Sequence, residues 1–212
     1  MTLYYSGRVL IHKIPMGAYG NNGYVVIDPV SNQSVVIDTP GEPEKLVAIA
    51  MATEVKAIVI THTHFDHLVG FEAIRSALDA PVAVDQSEAA NLPLDPDFFL
   101  ADGDAIEIGE QRLEILNTPG HTTGSSCFRI GEHLFSGDTL FPGGPGRTRT
   151  PADFRQIVDT IKTKLLVLPK GTTVYPGHGD TTTISDVGRE FAVFTSKSHP
   201  IDLHGDVRWE DS

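Results

Sequence analysis

A chain of 212 residues with 40% hydrophobic and 21% charged side chains spread along its length carries enough apolar material for one substantial core, which excludes a disordered or fibrous protein. Its 28 acidic residues against 16 basic ones leave a net charge of −12, which repels phosphate backbones and anionic lipid and so argues against nucleic-acid and membrane partners. A single cysteine, Cys127, excludes an internal disulfide or a cysteine-pair zinc site, and no apolar run approaches the roughly 20 residues of a membrane span. The start MTLYYSGRVLIHKI lacks the basic-then-apolar order of a secretory leader, so the expectation is one domain over residues 1–212 in the cytoplasm.

In chain order, Val9 to Ile14, Tyr24 to Ile27 and Ser34 to Ile37 read as short strands joined by turns, the first turn being GAYGNNG, which predicts an antiparallel meander. Pro43 suits a first helical position, and Leu46, Val47, Ile49 and Ala50 supply an apolar face behind it. AIVI at 57–60 is a strand buried on both faces. THTHFDH follows directly and is expected on a strand-to-helix loop, with Leu68, Phe71, Ile74, Ala77 and Leu78 at helical spacing beyond it. Pro81 to Val84 is a strand, LPLDPDFFLADGD is irregular, and Ala105 to Ile108, Arg112 to Leu116, Ser126 to Ile130 and Leu134 to Ser136 are further strands. FPGGPGRTRTP reads as a functional loop. Thr150, Pro151 and Asp153 open a helix whose apolar face runs Phe154, Ile157, Val158, Ile161 and Leu165. A strand at Thr172 to Tyr175 and a helix from about Ile184 to Phe194 close the pattern.

Nine histidines are about twice the usual complement for this length, and five fall in distinctive motifs. His62, His64, Asp66 and His67 occupy four of six consecutive positions, bringing nitrogen and oxygen donors for a borderline-soft divalent metal together. Farther on, His121 stands in TPGHTTGS, Asp138 in LFSGDTLF and His178 in YPGHGD, each after a strand and beside Gly or Pro. Taken singly, a histidine after a strand is an ordinary surface or core residue; taken with the cluster, these supply five imidazoles and two carboxylates. Seven donors suffice for two metals with positions left open for water, which suits hydrolysis.

THTHFDH, TPGHTTGS, SGDTLF and PGHG, in that order, resemble the metallo-β-lactamase superfamily and, within it, the glyoxalase II-like hydrolases. The resemblance implies an α/β fold, an αββα sandwich of two mixed sheets packed face to face with helices outside and the metals at one edge. It implies that His62, His64 and His121 hold one divalent ion, that Asp66, His67 and His178 hold a second, and that Asp138 bridges them. The ions implied are zinc, with iron or manganese as alternatives. It further implies a metal-bridging hydroxide that attacks a thioester carbonyl, with Asp66 orienting it or receiving its proton. Asp38, ending the strand SVVID, matches an acidic position that lies behind the ligands and supports them; a turn-forming Asp before Thr-Pro-Gly is the competing reading. Arg147 in GGPGRT resembles a basic residue of a substrate-facing loop, where a guanidinium could pair with a carboxylate; the competing reading is a solvated arginine.

Two departures from the pattern bear on substrate. Pro145 stands where many relatives have cysteine, and only 34 residues follow His178, too few for the helical C-terminal domain that contacts glutathione in full-length glyoxalase II. The expectation is therefore a dinuclear hydrolase of a small acyl-thiol or ester. The alternatives are a persulfide dioxygenase-like enzyme with one iron on His62, His121 and Asp138, or a lactonase. A β-lactamase is disfavoured by the missing export signal, a nuclease by the charge, and a structural metal module by the surplus of donors. His12, His133, His199 and His204 are read as structural or exposed, and Cys127 as a strand residue.

Overall fold

The computed structural model describes residues 3–211, so the outermost residues of the expected 1–212 domain lie outside it. It falls into two compact units, one ending at Ile115 and the other beginning at Leu116.

In the first unit, β1 (Leu3–Ser6), β2 (Leu10–Met16), β3 (Asn21–Ile27) and β4 (Gln33–Ile37) pair antiparallel in sequence order, as the turn-separated apolar runs predict. From β4 the sheet turns parallel. Helix α1 (Pro43–Ala50) crosses over to β5 (Glu54–Val59), and α2 (Phe65–Leu68) with α3 (Phe71–Leu78) crosses over to β6 (Val82–Asp85). Parallel pairing requires such crossovers, and strands covered by them read as continuous apolar runs: Ala57 to Ile60 are all buried. Pro43 takes the first position of α1, and Leu46, Ile49 and Ala50 are its buried face, joining Phe71 and Ile74 of α3 in one apolar cluster on the sheet.

Three expectations need correction, and one strand was not expected. The segment after β5 is not all loop, because Asp66 and His67 lie on the short helix α2. Ala77, placed on the apolar stripe by spacing, is exposed. The acidic stretch at 92–104 is not wholly irregular: β7 (Phe98–Leu100) adds a parallel strand beside β6, fixed by the Asp97 carboxylate, which accepts from the Val82 amide at 2.7 Å. Three residues flanked by Pro and Asp are too few to register as a strand from composition. Strand β1, exposed throughout, lacks the alternation that would have marked it. The hairpin β8 (Ala105–Ile108) and β9 (Gln111–Asn117) then leads into the second unit.

There, β10 (Ser126–Ile130) pairs antiparallel with β11 (His133–Gly137). A two-residue ribbon, β12 (Leu140–Phe141) and β13 (Gly144–Pro145), structures the Gly/Pro loop. Helix α4 (Pro151–Thr160) starts as the sequence predicts, with the Thr150 hydroxyl accepting from the Asp153 amide, and continues into one π-helical turn, Ile161–Leu165. It crosses back to β14 (Thr173–Pro176), parallel to β11; β15 (Thr182–Thr183) and α5 (Ile184–Thr195) follow. Phe154, Ile157, Ile161, Ile184, Val187 and Trp209 belong to this unit's apolar cluster. No helix among the described residues is long and apolar enough to cross a membrane.

The junction of α2 and α3 is sterically tight, since a Cβ on Gly70 would stand 2.4 Å from the Pro40 carbonyl oxygen. Gly70→Ala is expected to lower stability by about 1–3 kcal/mol, because backbone cannot step aside as a flexible side chain would; chemical denaturation against wild type checks it.

Candidate metal centre

Beyond β5 the chain holds four donor residues within six positions, and the first unit orients them through a buried carboxylate. Asp38 is 1% exposed and sits at the end of β4 with φ of 60°, a left-handed conformation that Asp tolerates better than most residues. Its Oδ1 accepts from the Thr61 amide at 2.8 Å, and its Oδ2 accepts from the Thr61 hydroxyl at 2.8 Å and from His67 Nδ1 at 2.9 Å. With its proton given to Asp38, Thr61 Oγ1 accepts from His62 Nδ1 at 3.1 Å. This relay assigns the tautomers: His62 and His67 both carry their protons on Nδ1, which puts the ring lone pair of each on Nε2, where it could meet a metal ion.

His62 and His67 are fully buried, with ring centroids 4.2 Å apart. His64 is extended at the N-cap of α2, its Nδ1 3.1 Å from His62 Nε2. Asp66 lies in the first turn, where a carboxylate is favoured by the unpaired amides of a helix start. The Asn21 side-chain amide donates to Asp66 Oδ2 at 2.8 Å, and that oxygen is 3.7 Å from His67 Nε2. The His67 carbonyl is pinned by both the amide and the hydroxyl of Thr39, each at 3.0 Å. Glu88, 4% exposed, accepts from the amide and hydroxyl of Thr63 and so clamps the loop between the histidines. Sequence reasoning gave no role to Asn21 or Glu88, whose partners are 45 and 25 positions away.

In the second unit, parallel pairing does the positioning. Gly137 of β11 is in register with Pro176 of β14, so Asp138 and His178 leave neighbouring strand ends on the same side. Asp138 Oδ2 stands 3.6 Å from His178 Nε2 and 3.7 Å from His121 Nε2. These separations are too long for hydrogen bonds and close to the roughly 3.3–3.6 Å between two donors that share a tetrahedral ion at about 2.0–2.2 Å each. His121 Nδ1 donates to the Arg147 carbonyl at 2.8 Å, which again puts the ring lone pair on Nε2. Gly146 allows this approach: a Cβ there would overlap the Asp138 carbonyl, at 1.9 Å, and crowd His121 Nδ1 at 3.1 Å. A buried Thr118–Thr139 hydroxyl pair at 2.9 Å ties the two ligand loops together. Below them Cys127 is buried against Thr118, its thiol pushed up to about 11 by desolvation.

The donor set fits divalent metal on chemistry alone: five imidazoles, three of them with the tautomer set by a hydrogen bond on Nδ1, and two carboxylates, with Asp138 at ligand spacing from two rings. His121, Asp138 and His178 open onto a cavity of about 550 Å³, whose rim carries Arg147 and Arg208. The Arg147 guanidinium is exposed, 3.8 Å from Asp206. Of the remaining histidines, His133 is buried in β11 with Nδ1 3.1 Å from the Tyr175 hydroxyl. His12 lies in β2, His199 stacks on Phe194 and His204 is exposed.

Asp38→Ala removes the acceptor of a buried amide, a hydroxyl and an imidazole, so a loss of roughly 2–5 kcal/mol is expected in urea denaturation. Asp38→Asn, which keeps one oxygen and tolerates the left-handed backbone, should lose clearly less; equal losses would show that the backbone conformation, not the carboxylate, matters.

A family model described as the metallo-beta-lactamase superfamily matches residues 16–178. Hydroxyacylglutathione hydrolase GloC of Haemophilus influenzae is 30% identical over 211 residues, covering 89% of this chain and 99% of that protein. The solved structure of TTHA1623 in a di-iron-bound form is similar with a TM-score of 0.73 at 32% identity, covering 84% of this chain and 97% of that one. ETHE1 from Myxococcus xanthus gives 0.75 at 26% identity, with coverage of 89% and 85%.

Proposed function

The chain belongs to the metallo-β-lactamase superfamily and has its α/β fold of mixed sheets and flanking helices, and on that premise we propose that it is a dinuclear metal-dependent hydrolase of small acyl-thiols. The observation that carries the reading is Asp138, whose carboxylate stands at ligand distance from imidazole nitrogens of both His121 and His178, as a shared ligand must. Two further findings support it. All seven donor residues fall inside the matched segment, and a relative aligned over most of the chain is named a hydroxyacylglutathione hydrolase.

On this reading His62, His64 and His121 hold one ion, Asp66, His67 and His178 hold the other, and Asp138 joins both. Two divalent ions, zinc or else iron or manganese, would supply a hydroxide near neutral pH and stabilise the departing thiolate. Asp66, kept in place by the Asn21 amide, orients the attacking oxygen and receives its proton. Asp38 holds the His67 ring and, through Thr61, the His62 ring, so that neither has to reorient during turnover. Arg147 is the group proposed to meet an acidic substrate at the rim.

Elemental analysis should find about two metal ions per chain. Asp138→Ala should lose metal from both positions and His178→Ala mainly from one. A single tightly held iron with no second uptake would overturn the dinuclear reading in favour of a mononuclear oxidoreductase.

Thiol release from a small thioester should stop with chelator, return with added metal, and fall in acid as the attacking water becomes protonated. Asp66→Asn should cut turnover with the fold retained. Oxygen uptake on a persulfide without thioester turnover, or lactone cleavage alone, would replace the thioesterase assignment.

A further inference from the structure

The segment after α5 returns to the Gly/Pro loop and is fastened to it at two points. The Thr148 amide donates to the Gly205 carbonyl at 3.1 Å and the Gly205 amide to the Thr148 hydroxyl at 3.2 Å. Four residues on, the Trp209 amide donates to the Gly143 carbonyl at 2.9 Å. Trp209 is fully buried, its ring 5.2 Å from Phe191, and the Gly143 amide is taken by the Glu190 carboxylate at 2.9 Å. Between the anchors the strap presses on the loop so closely that a Cβ on Gly144 would stand 2.7 Å from the Val207 carbonyl; Gly144 has φ of 152°. Asp206, Val207 and Arg208 thereby become part of the wall of the same cavity as His121, Asp138 and His178.

The strap brings one carboxylate and one guanidinium to a rim that already has Arg147. Asp206 faces Arg147, with Nε to Oδ2 at 3.8 Å and the two side chains 74% and 82% exposed. Ion pairs this open are weak and readily exchanged, so a carboxylate arriving at Arg147 has to compete with one that the chain supplies itself. Arg208 lines the cavity and stands next to buried Trp209, whose amide fastens the strap to Gly143. In a protein of net charge −12, a cation at the cavity mouth is what lets an anion approach.

We propose that the strap 205–209 is the specificity element of the cavity: Arg208 joins Arg147 in binding a carboxylate of the substrate, and Asp206 attenuates the share that Arg147 contributes. The identity of the substrate as an acyl-thiol rests on the hydrolase reading above; the choice of an anion over its neutral counterpart does not.

The test uses thioesters of N-acetylcysteine and of its carboxamide, which differ by one carboxylate, and their S-methyl thioethers, which cannot be hydrolysed. Wild type should show a lower KM for the carboxylate thioester. Arg208→Gln should shrink that preference about tenfold, Arg208→Lys should restore part of it because the charge returns without the planar fork, and Asp206→Asn should enlarge it. Calorimetry with the thioethers should show tighter binding of the carboxylate form by wild type and loss of the difference in Arg208→Gln. Equal binding of the two thioethers by wild type, or an unchanged preference in Arg208→Gln, would overturn the proposal. Selective thioether binding without turnover of either thioester would leave the strap in its role and strike the hydrolase reading instead.

Discussion

The buried carboxylate of Asp38 links strand pairing to the placement of the candidate donors. Desolvating an anion is costly, and here three donors offset the cost: a backbone amide, a hydroxyl and an imidazole. Each is a group whose position matters. The amide belongs to the residue before His62, the hydroxyl turns that ring, and the imidazole is His67 itself. The Asp38 amide in turn donates to the Val59 carbonyl at 3.0 Å, so the anion is seated on the strand that delivers the motif. A change at this one side chain therefore bears on two of the candidate donors, His67 directly and His62 through Thr61.

The second unit reaches a similar result by different means. Asp138 and His178 are placed by adjacent parallel strands that end in register, and the amide of Gly177 donates to the Gly137 carbonyl at 2.8 Å just before the side chains diverge. Strand ends suit this role because ladder pairing stops there while the backbone is still held on one side. The Arg147 backbone carbonyl, rather than its side chain, aligns His121. Backbone shape at 143–147 therefore bears directly on how the His121 ring is set.

What could be read from the sequence was whatever is encoded locally. The both-face-buried run at 57–60, the proline-started α1, the Thr150 cap and the clustered donors each carry their own signal within a few residues. Elements too short or too exposed to carry an alternating pattern were silent. Strand β1 is fully exposed, β7 depends on Asp97 reaching the Val82 amide, and the ribbon β12–β13 has two residues per strand. The same divide runs through the candidate site. His62 to His67 announce themselves by spacing, whereas Asn21, Glu88 and the strap at 205–209 gain a role only through contacts across 25 or more positions. Asp38 lies between the two classes: its place at a strand end was legible, whereas its left-handed backbone and its grip on the His67 ring, 29 positions away, were not.

Cys127 gives the proposed chemistry a different significance. A protein that handles activated acyl groups risks being acylated by them, since any nearby thiolate exchanges with a thioester. With its thiol pushed up to about 11, Cys127 is ionised in only about one molecule in ten thousand at pH 7. It is also sealed beneath Thr118 and Thr139, with its hydrogen directed to the Ser136 carbonyl. The lone sulfur nucleophile of the chain is thus kept out of self-modification, which leaves the acyl group no protein thiol on which to be trapped.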